Sequence, residues 1–415
     1  MSIAERIEQM RAQFPALGRT LDGRPVVFFD GPAGSQVPLR VAEAVQRSML
    51  SANANEGGDF ATSRENDALI ADAAEVFAAF FGAGSRDEVV FGPNMTSLTF
   101  RFSQALGETW RPGDEIIVTG LEHDANYSPW IQAAARAGAT VRRVPVRPED
   151  CTLDLDAYAA LLSPRTRLVA VGLASNATGT VNPVAKMAKM AREVGALVYV
   201  DAVHYAPHGP LDVNVMGADF VVASAYKFFG PHVGILWGRK AHLNGLPARK
   251  VRPAYDRSPD RWMTGTPNFE GIVGAAECVR YIADLAVDAP GDLRARIAAG
   301  YAEIQRYERS LTERFLALLA ERPGFRLWGI SSPGGLIHRV PTFSLTHETS
   351  SPKTLAKGLA QAGIFAWSGD HYAVPFTQSV GLVAEGTLRI GLLHYNTEAE
   401  IERCFTTLDA LTGAA

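Results

Sequence analysis

Leu197-Val198-Tyr199-Val200-Asp201-Ala202-Val203-His204, followed after one further apolar run by Ser224-Ala225-Tyr226-Lys227, is the stretch whose reading decides the fold. Leu197 to Asp201 is a short apolar run ending in an acid, and Phe220 to Ser224 repeats the form just ahead of a lysine. Runs of this length read as buried strands of a mainly parallel sheet. Ligands of such sheets bind outside the carboxyl ends of the strands, so Asp201 and Lys227 are expected to project into one crevice. Taken alone, the aspartate reads as a helix N-cap and the lysine as a surface charge. Lys227, however, sits within Ala223-Ser224-Ala225-Tyr226-Lys227-Phe228-Phe229-Gly230, where apolar neighbours on both sides argue against free solvation.

The same rhythm extends outward. Strands are predicted at Val89–Phe91, Glu115–Thr119, Thr140–Val144, Leu168–Gly172, Leu197–Asp201, Phe220–Ser224 and Val233–Trp237, with helices at Ala68–Phe81, Trp130–Ala137 and Ala185–Val194. Alternation of this kind is the signature of βα units. Long helical patterns follow at Ile272–Leu285 and Leu293–Ala320, then a mixed region with a strand at Arg339–Leu345 and helices at Lys353–Ala362 and Glu398–Leu411. The expected organisation is an α/β protein with three parts. Residues 1–24 form a helical arm against the small domain, 25–271 a large domain, and 272–415 an interdomain helix with a small α+β domain.

Composition sets limits on function. The 415 residues carry a formal charge of -4 with scattered basic residues, which argues against nucleic acid as partner. Hydrophobic residues make up 47% and charged ones 20%, ordinary for a globular chain. Cys151, Cys278 and Cys404 are too few and too scattered for a disulfide framework or a zinc site, which fits a reducing compartment. No apolar run reaches the roughly 20 residues of a membrane helix, and Met1 to Leu17 lacks the order of a secretory signal. The expectation is a cytoplasmic protein with no membrane contact and no metal.

An acid and a lysine at neighbouring strand ends suit pyridoxal 5'-phosphate. A carboxylate facing the pyridine nitrogen keeps it protonated and makes the ring an electron sink, while a desolvated lysine forms the Schiff base and can later move the Cα proton. At this point the chain resembles the class V aminotransferases, and among them the cysteine desulfurase-like proteins. Matching segments are Phe29-Asp30-Gly31-Pro32-Ala33, Glu122-His123-Asp124-Ala125-Asn126 with Pro129-Trp130, Ser175 to Thr180, Asp201 to His204, Ser224 to Lys227, Gly265-Thr266-Pro267-Asn268, and Arg389 with Tyr395-Asn396-Thr397. The resemblance implies a fold-type I enzyme and assigns roles by position. His123 stacks on the cofactor ring, Asn176 lies near the ring hydroxyl, and His204 reaches the same hydroxyl where relatives carry glutamine. Thr96, Ser224 and Tyr226 form the phosphate site, for which the helix start around Asn94–Ser97 gives a physical reason. Thr266 crosses to a partner's phosphate, implying a homodimer with shared active sites. Arg389 grips the carboxylate of an amino acid substrate, a task that suits a planar guanidinium, and Ala33 lies on the substrate side.

One segment departs from the pattern. Where desulfurases carry a nucleophilic cysteine, this chain has Trp367-Ser368-Gly369-Asp370-His371-Tyr372-Ala373, with Tyr372 at the cysteine position. A phenol with a pKa near 10 cannot form a persulfide. Trp367 replaces an arginine of that loop, so the pocket is expected to be more apolar or larger, with His371 and Tyr372 as substrate contacts or acid–base groups. Elimination of a group from Cβ, a C–S lyase type of reaction, fits the missing thiol. An aminotransferase or epimerase would use the same lysine, aspartate and arginine, and a non-catalytic scaffold relative is the answer of a different class.

Overall fold

Seven short strands, all but the edge strand β3 mainly apolar, pair into one sheet: β1 (Val89–Gly92), β2 (Glu115–Thr119), β3 (Thr140–Val144), β4 (Thr166–Gly172), β5 (Leu197–Asp201), β6 (Phe220–Ser224) and β7 (Gly234–Gly238), in the spatial order β1-β7-β6-β5-β4-β2-β3. In the computed structural model, which describes residues 2–413, six strands point one way and β7 runs antiparallel to both its neighbours. Every residue of β2, β6 and β7 is buried, as expected where helices cover both faces. Alternate residues of a single strand serve the two faces. Val198 and Val200 join one apolar cluster while Tyr199 joins the other. Helices α1 (Ala61–Phe81), α4 (Val184–Glu193), α5 (Phe269–Asp284) and part of α6 (Leu293–Ala320) supply the first cluster, and α2 (Met95–Gly107) and α3 (Ser128–Ala137) the second.

The reversal of β7 differs from the regular βα rhythm expected for that segment. A parallel return needs a crossover of a dozen or more residues, and the link from Ser224 to Gly234 is too short to hold one. The link instead folds as a tight turn, Ala225–Lys227, that keeps Lys227 at the sheet edge.

A second, antiparallel sheet is built from β8 (Phe325–Trp328), β9 (Thr342–His347), β10 (Trp367–Gly369) and β11 (Thr387–Gly391), in the order β8-β9-β11-β10. It packs on α7 (Pro352–Gln361), α8 (Glu398–Thr412) and the end of α6, around Phe343 stacked on Phe315 at 3.8 Å.

Three expectations are corrected. Val27–Phe28 pairs in parallel with Ile364–Phe365, and Asp30 bridges to Gly391, so the segment just after residue 25 joins the C-terminal half. The strand expected from Arg339 begins at Thr342, because Pro341 has no N–H to offer a ladder. Arg339 turns inward, donates to the carbonyls of Ile330 and Thr342, and lies over the Phe343 ring. The helical arm expected over residues 1–24, of which Met1 lies outside the described residues, yields only short pieces, Ala4–Arg6, Ile7–Arg11 and Pro15–Gly18, since Phe14 breaks away to pack edge-on against Phe229 and Tyr281.

Candidate active site

The carboxyl ends of five like-directed strands meet at one edge of the large sheet, and each delivers a polar residue. Asn94 and Thr96 follow β1, His123 follows β2, Asn176 follows β4, Asp201 ends β5 and Lys227 follows β6. All line one cavity of about 530 Å³. The second sheet closes it with Arg389 from β11, Trp367 from β10, and His371 and Tyr372 from the loop after β10; Ala33, Ser224, Tyr226 and His204 complete the wall. Of the residues singled out in the sequence, Thr266 alone is outside this cavity, in an exposed turn.

Burial governs the electrostatics. The Lys227 amine is pushed down to about 7, chiefly by desolvation and then by the Arg389 charge, with Asp201 and Asp30 pulling the other way. It donates to the carbonyl of Pro32 and lies 4.9 Å from the centre of the Tyr226 ring. Asp201 is raised to about 6 by burial, against a hydrogen bond that its Oδ1 accepts from Val203 N at 2.9 Å. His123 falls to about 4, again mainly through burial, and is neutral at pH 7. Its Nδ1 accepts from Ala125 N at 3.0 Å, which assigns the remaining proton to Nε2.

Helix α2 opens on the cavity. Asn94 caps it by accepting from Ser97 N, and Ser224 Oγ accepts from Met95 N at 2.9 Å, joining the helix start to the strand that carries Lys227. Gly234 permits this approach, because a Cβ there would stand 2.4 Å from the Asn94 carbonyl carbon. A cradle of N–H groups at a helix N-terminus is a phosphate site. Asn176 donates to the His371 carbonyl, Arg389 donates to the Asn176 carbonyl at 3.0 Å, and the buried Asn176 Oδ1 is left without a partner. A pyridoxal phosphate fits these residues: an anion cradle, a carboxylate with a free oxygen, a lysine whose amine loses its proton near neutrality and an unpaired acceptor.

Some participants were not singled out by sequence reasoning. Asp30 is raised to about 6 and is felt by both Lys227 and Arg389. Glu122, fully buried and raised to about 8, accepts from Thr119, Asn126 and Gly172 and so fixes the loop bearing His123. His204 accepts or donates at Thr342 Oγ1, 2.9 Å away, and lies edge-on to His208, which pairs with Glu308 at 2.8 Å. Asp30 and Glu122 lay within quoted motifs; the His208–Glu308 pair had no sequence signal, since α6 brings Glu308 in from far along the chain.

A mainly parallel sheet with lysine and aspartate at adjacent strand ends, beneath a helix N-terminus and faced by an arginine from a second sheet, defines a pyridoxal phosphate enzyme of fold type I. Comparison with known proteins agrees. Residues 27–404 match the family described as aminotransferase class-V. A probable cysteine desulfurase of Mycolicibacterium paratuberculosis is 33% identical over 95% of this chain, which spans only 57% of that relative's length. A cysteine desulfurase of Klebsiella pneumoniae subsp. pneumoniae is 32% identical, with 98% of each chain covered. The apo structure of a cysteine desulfurase from Thermococcus onnurineus NA1 superimposes with a TM-score of 0.87 at 27% identity, covering 98% of both chains. The chain belongs to the class-V aminotransferase family of pyridoxal phosphate-dependent enzymes. Among the described residues, no helix is long and apolar enough to cross a membrane, and no group of three or more His, Cys, Asp or Glu could hold a metal.

Proposed function

We propose that this protein eliminates a substituent from Cβ of an amino acid, using pyridoxal phosphate held by Lys227 and no persulfide-forming cysteine. The observation that carries the reading is the state of the thiols. Cys151, Cys278 and Cys404 are all fully buried and none lines the cavity. Desolvation pushes Cys151 and Cys404 up to about 12 and raises Cys278 as well, the opposite of a reactive thiolate. At the loop where relatives carry the nucleophile, Tyr372 is exposed.

The bound cofactor supplies an electron sink for the bond broken at the substrate's Cα. Lys227 is its tether and afterwards the acceptor of the Cα proton, which an amine titrating near neutrality performs well. Asp201 would pair with the ring nitrogen, the α2 start with Thr96, Ser224 and Tyr226 would hold the phosphate, and Asn176 and His204 would hold the ring hydroxyl. Neutral His123 would pack on the ring, with its proton at Nε2. Arg389 binds the substrate carboxylate, with Ala33, His371, Tyr372 and Trp367 around the side chain. Thr266, exposed and outside its own chain's cavity, serves the partner's phosphate in a homodimer.

The purified protein should be yellow, and borohydride should fix the cofactor on the peptide containing Lys227. Incubation with amino acids bearing a Cβ leaving group should release pyruvate and ammonia, and Cys151→Ala, Cys278→Ala and Cys404→Ala should each retain that activity. An oxo-acid with a conserved carbon skeleton would mean transamination. Loss of turnover in any one folded cysteine variant would restore the persulfide route.

A further inference from the structure

We infer that the cavity selects an amino acid with a bulky apolar or aromatic group beyond Cβ and, resting on the elimination reading above, that the substrate is a cysteine S-conjugate whose thiol is the leaving group. Trp367 and Arg389 are direct partners across the antiparallel pair β10–β11. Their side chains therefore rise from the same face, with Cβ atoms about 5 Å apart, and both line the cavity. An amino acid held by its carboxylate at Arg389 carries its side chain against the Trp367 indole.

Tyr372 bounds the same space, its ring stacked on His123 with centroids 5.6 Å apart and planes 20° from parallel. The loop is fixed rather than slack. Tyr372 N donates to Asp370 Oδ1 at 2.9 Å, Asp124 N donates to the Tyr372 carbonyl at 2.7 Å, and His371 Nε2 contacts Thr387 at 3.1 Å. His371 and Tyr372 both hold a φ of 56°. Two successive non-glycine residues in the left-handed region persist only where surrounding contacts hold them.

Charge narrows the choice. The charged groups on the wall are Asp201, Lys227, Arg389 and Asp370, and the histidines there are held neutral by burial. With the first three occupied by cofactor and carboxylate, none of this chain's described residues on that wall offers a further cation for an acidic substituent. Asp370 repels one, yet it is solvent-exposed, so its attraction for a cationic group is screened. Two aromatic faces with Leu121, Ala125 and Val203 favour an apolar one. The net reaction is R–S–CH2–CH(NH3+)–COO− plus water giving R–SH, pyruvate and ammonium. The Cα–H and Cβ–S bonds break, the sulfur leaves with its electron pair and takes up a proton, and water releases the nitrogen; no oxidant or reductant is consumed.

The holoenzyme is tested with S-benzyl-, S-(2-aminoethyl)- and S-carboxymethyl-L-cysteine, reading pyruvate and thiol. Calorimetry on the same holoenzyme measures dissociation constants for isosteres in which methylene replaces sulfur and nothing can leave. S-benzylcysteine is expected to exceed both charged conjugates in kcat/KM by at least about 10-fold, its isostere binding correspondingly tighter, and Trp367→Ala should shrink that ratio to about threefold or less. Trp367→Arg should turn the preference toward S-carboxymethylcysteine. A wild-type preference for either charged group, or an unchanged ratio in Trp367→Ala, overturns the inference, and the wild-type ranking alone decides should the variants fail to fold. Isosteres ranked as expected with no pyruvate from any conjugate would leave the pocket assignment standing and remove the elimination; pyruvate released equally from all three would do the reverse.

Discussion

The Lys227 amine of the cofactor-free protein should titrate near 7, against 10.5 for an unperturbed lysine. At pH 7 about half the molecules then carry a free amine, where an ordinary lysine would offer roughly one in 3,000, so covalent capture of the cofactor is accelerated by about three orders of magnitude. Two substitutions should move the midpoint in opposite directions. Arg389→Gln removes a repelling cation and raises it; Asp201→Asn removes an attracting anion and lowers it. The assay is stopped-flow growth of the yellow band after mixing apoenzyme with cofactor, across pH. Stability follows the same proton: between 7 and 10.5 the unfolded chain binds a proton that the folded chain does not, so this group's contribution to apoprotein stability rises with pH through that window, by at most about 5 kcal/mol. A wild-type midpoint above about 9, or both variants shifting the same way, would refute this account of the site.

Asp201→Asn should still take up cofactor at Lys227 yet lose at least about 100-fold in kcat, because the anion opposite the ring nitrogen is gone; an unchanged kcat measured at saturating substrate would remove Asp201 from that role. Gly234→Ala places a Cβ 2.4 Å from the Asn94 backbone and should displace the start of α2, weakening cofactor affinity by about 10-fold or more in an equilibrium titration. Glu308→Ala leaves buried His208 without its partner and should cost about 1–3 kcal/mol, seen as a lower denaturant midpoint at unchanged m-value, with Glu308→Gln costing less.

The local parts of this protein were legible in the chain itself. Continuous apolar runs ending at Asp201 and Ser224 announce strands buried on both faces, and the rule that ligands gather at carboxyl ends placed Asp201 and Lys227 together before any contact was known, while His123 and Asn176 joined them only through the resemblance to the class V aminotransferases. Tertiary structure decided what depends on residues distant in sequence. It reversed β7, drew Val27–Phe28 onto Ile364–Phe365, and set Trp367 opposite Arg389. It also buried His208 against Glu308, and it lowered the proton affinity of Lys227 by burying the amine and setting it near Arg389, against the pull of Asp201 and Asp30. Periodicity reports which face of an element meets the core, whereas register, desolvation and the field at a lysine are sums over neighbours that only the folded chain assembles.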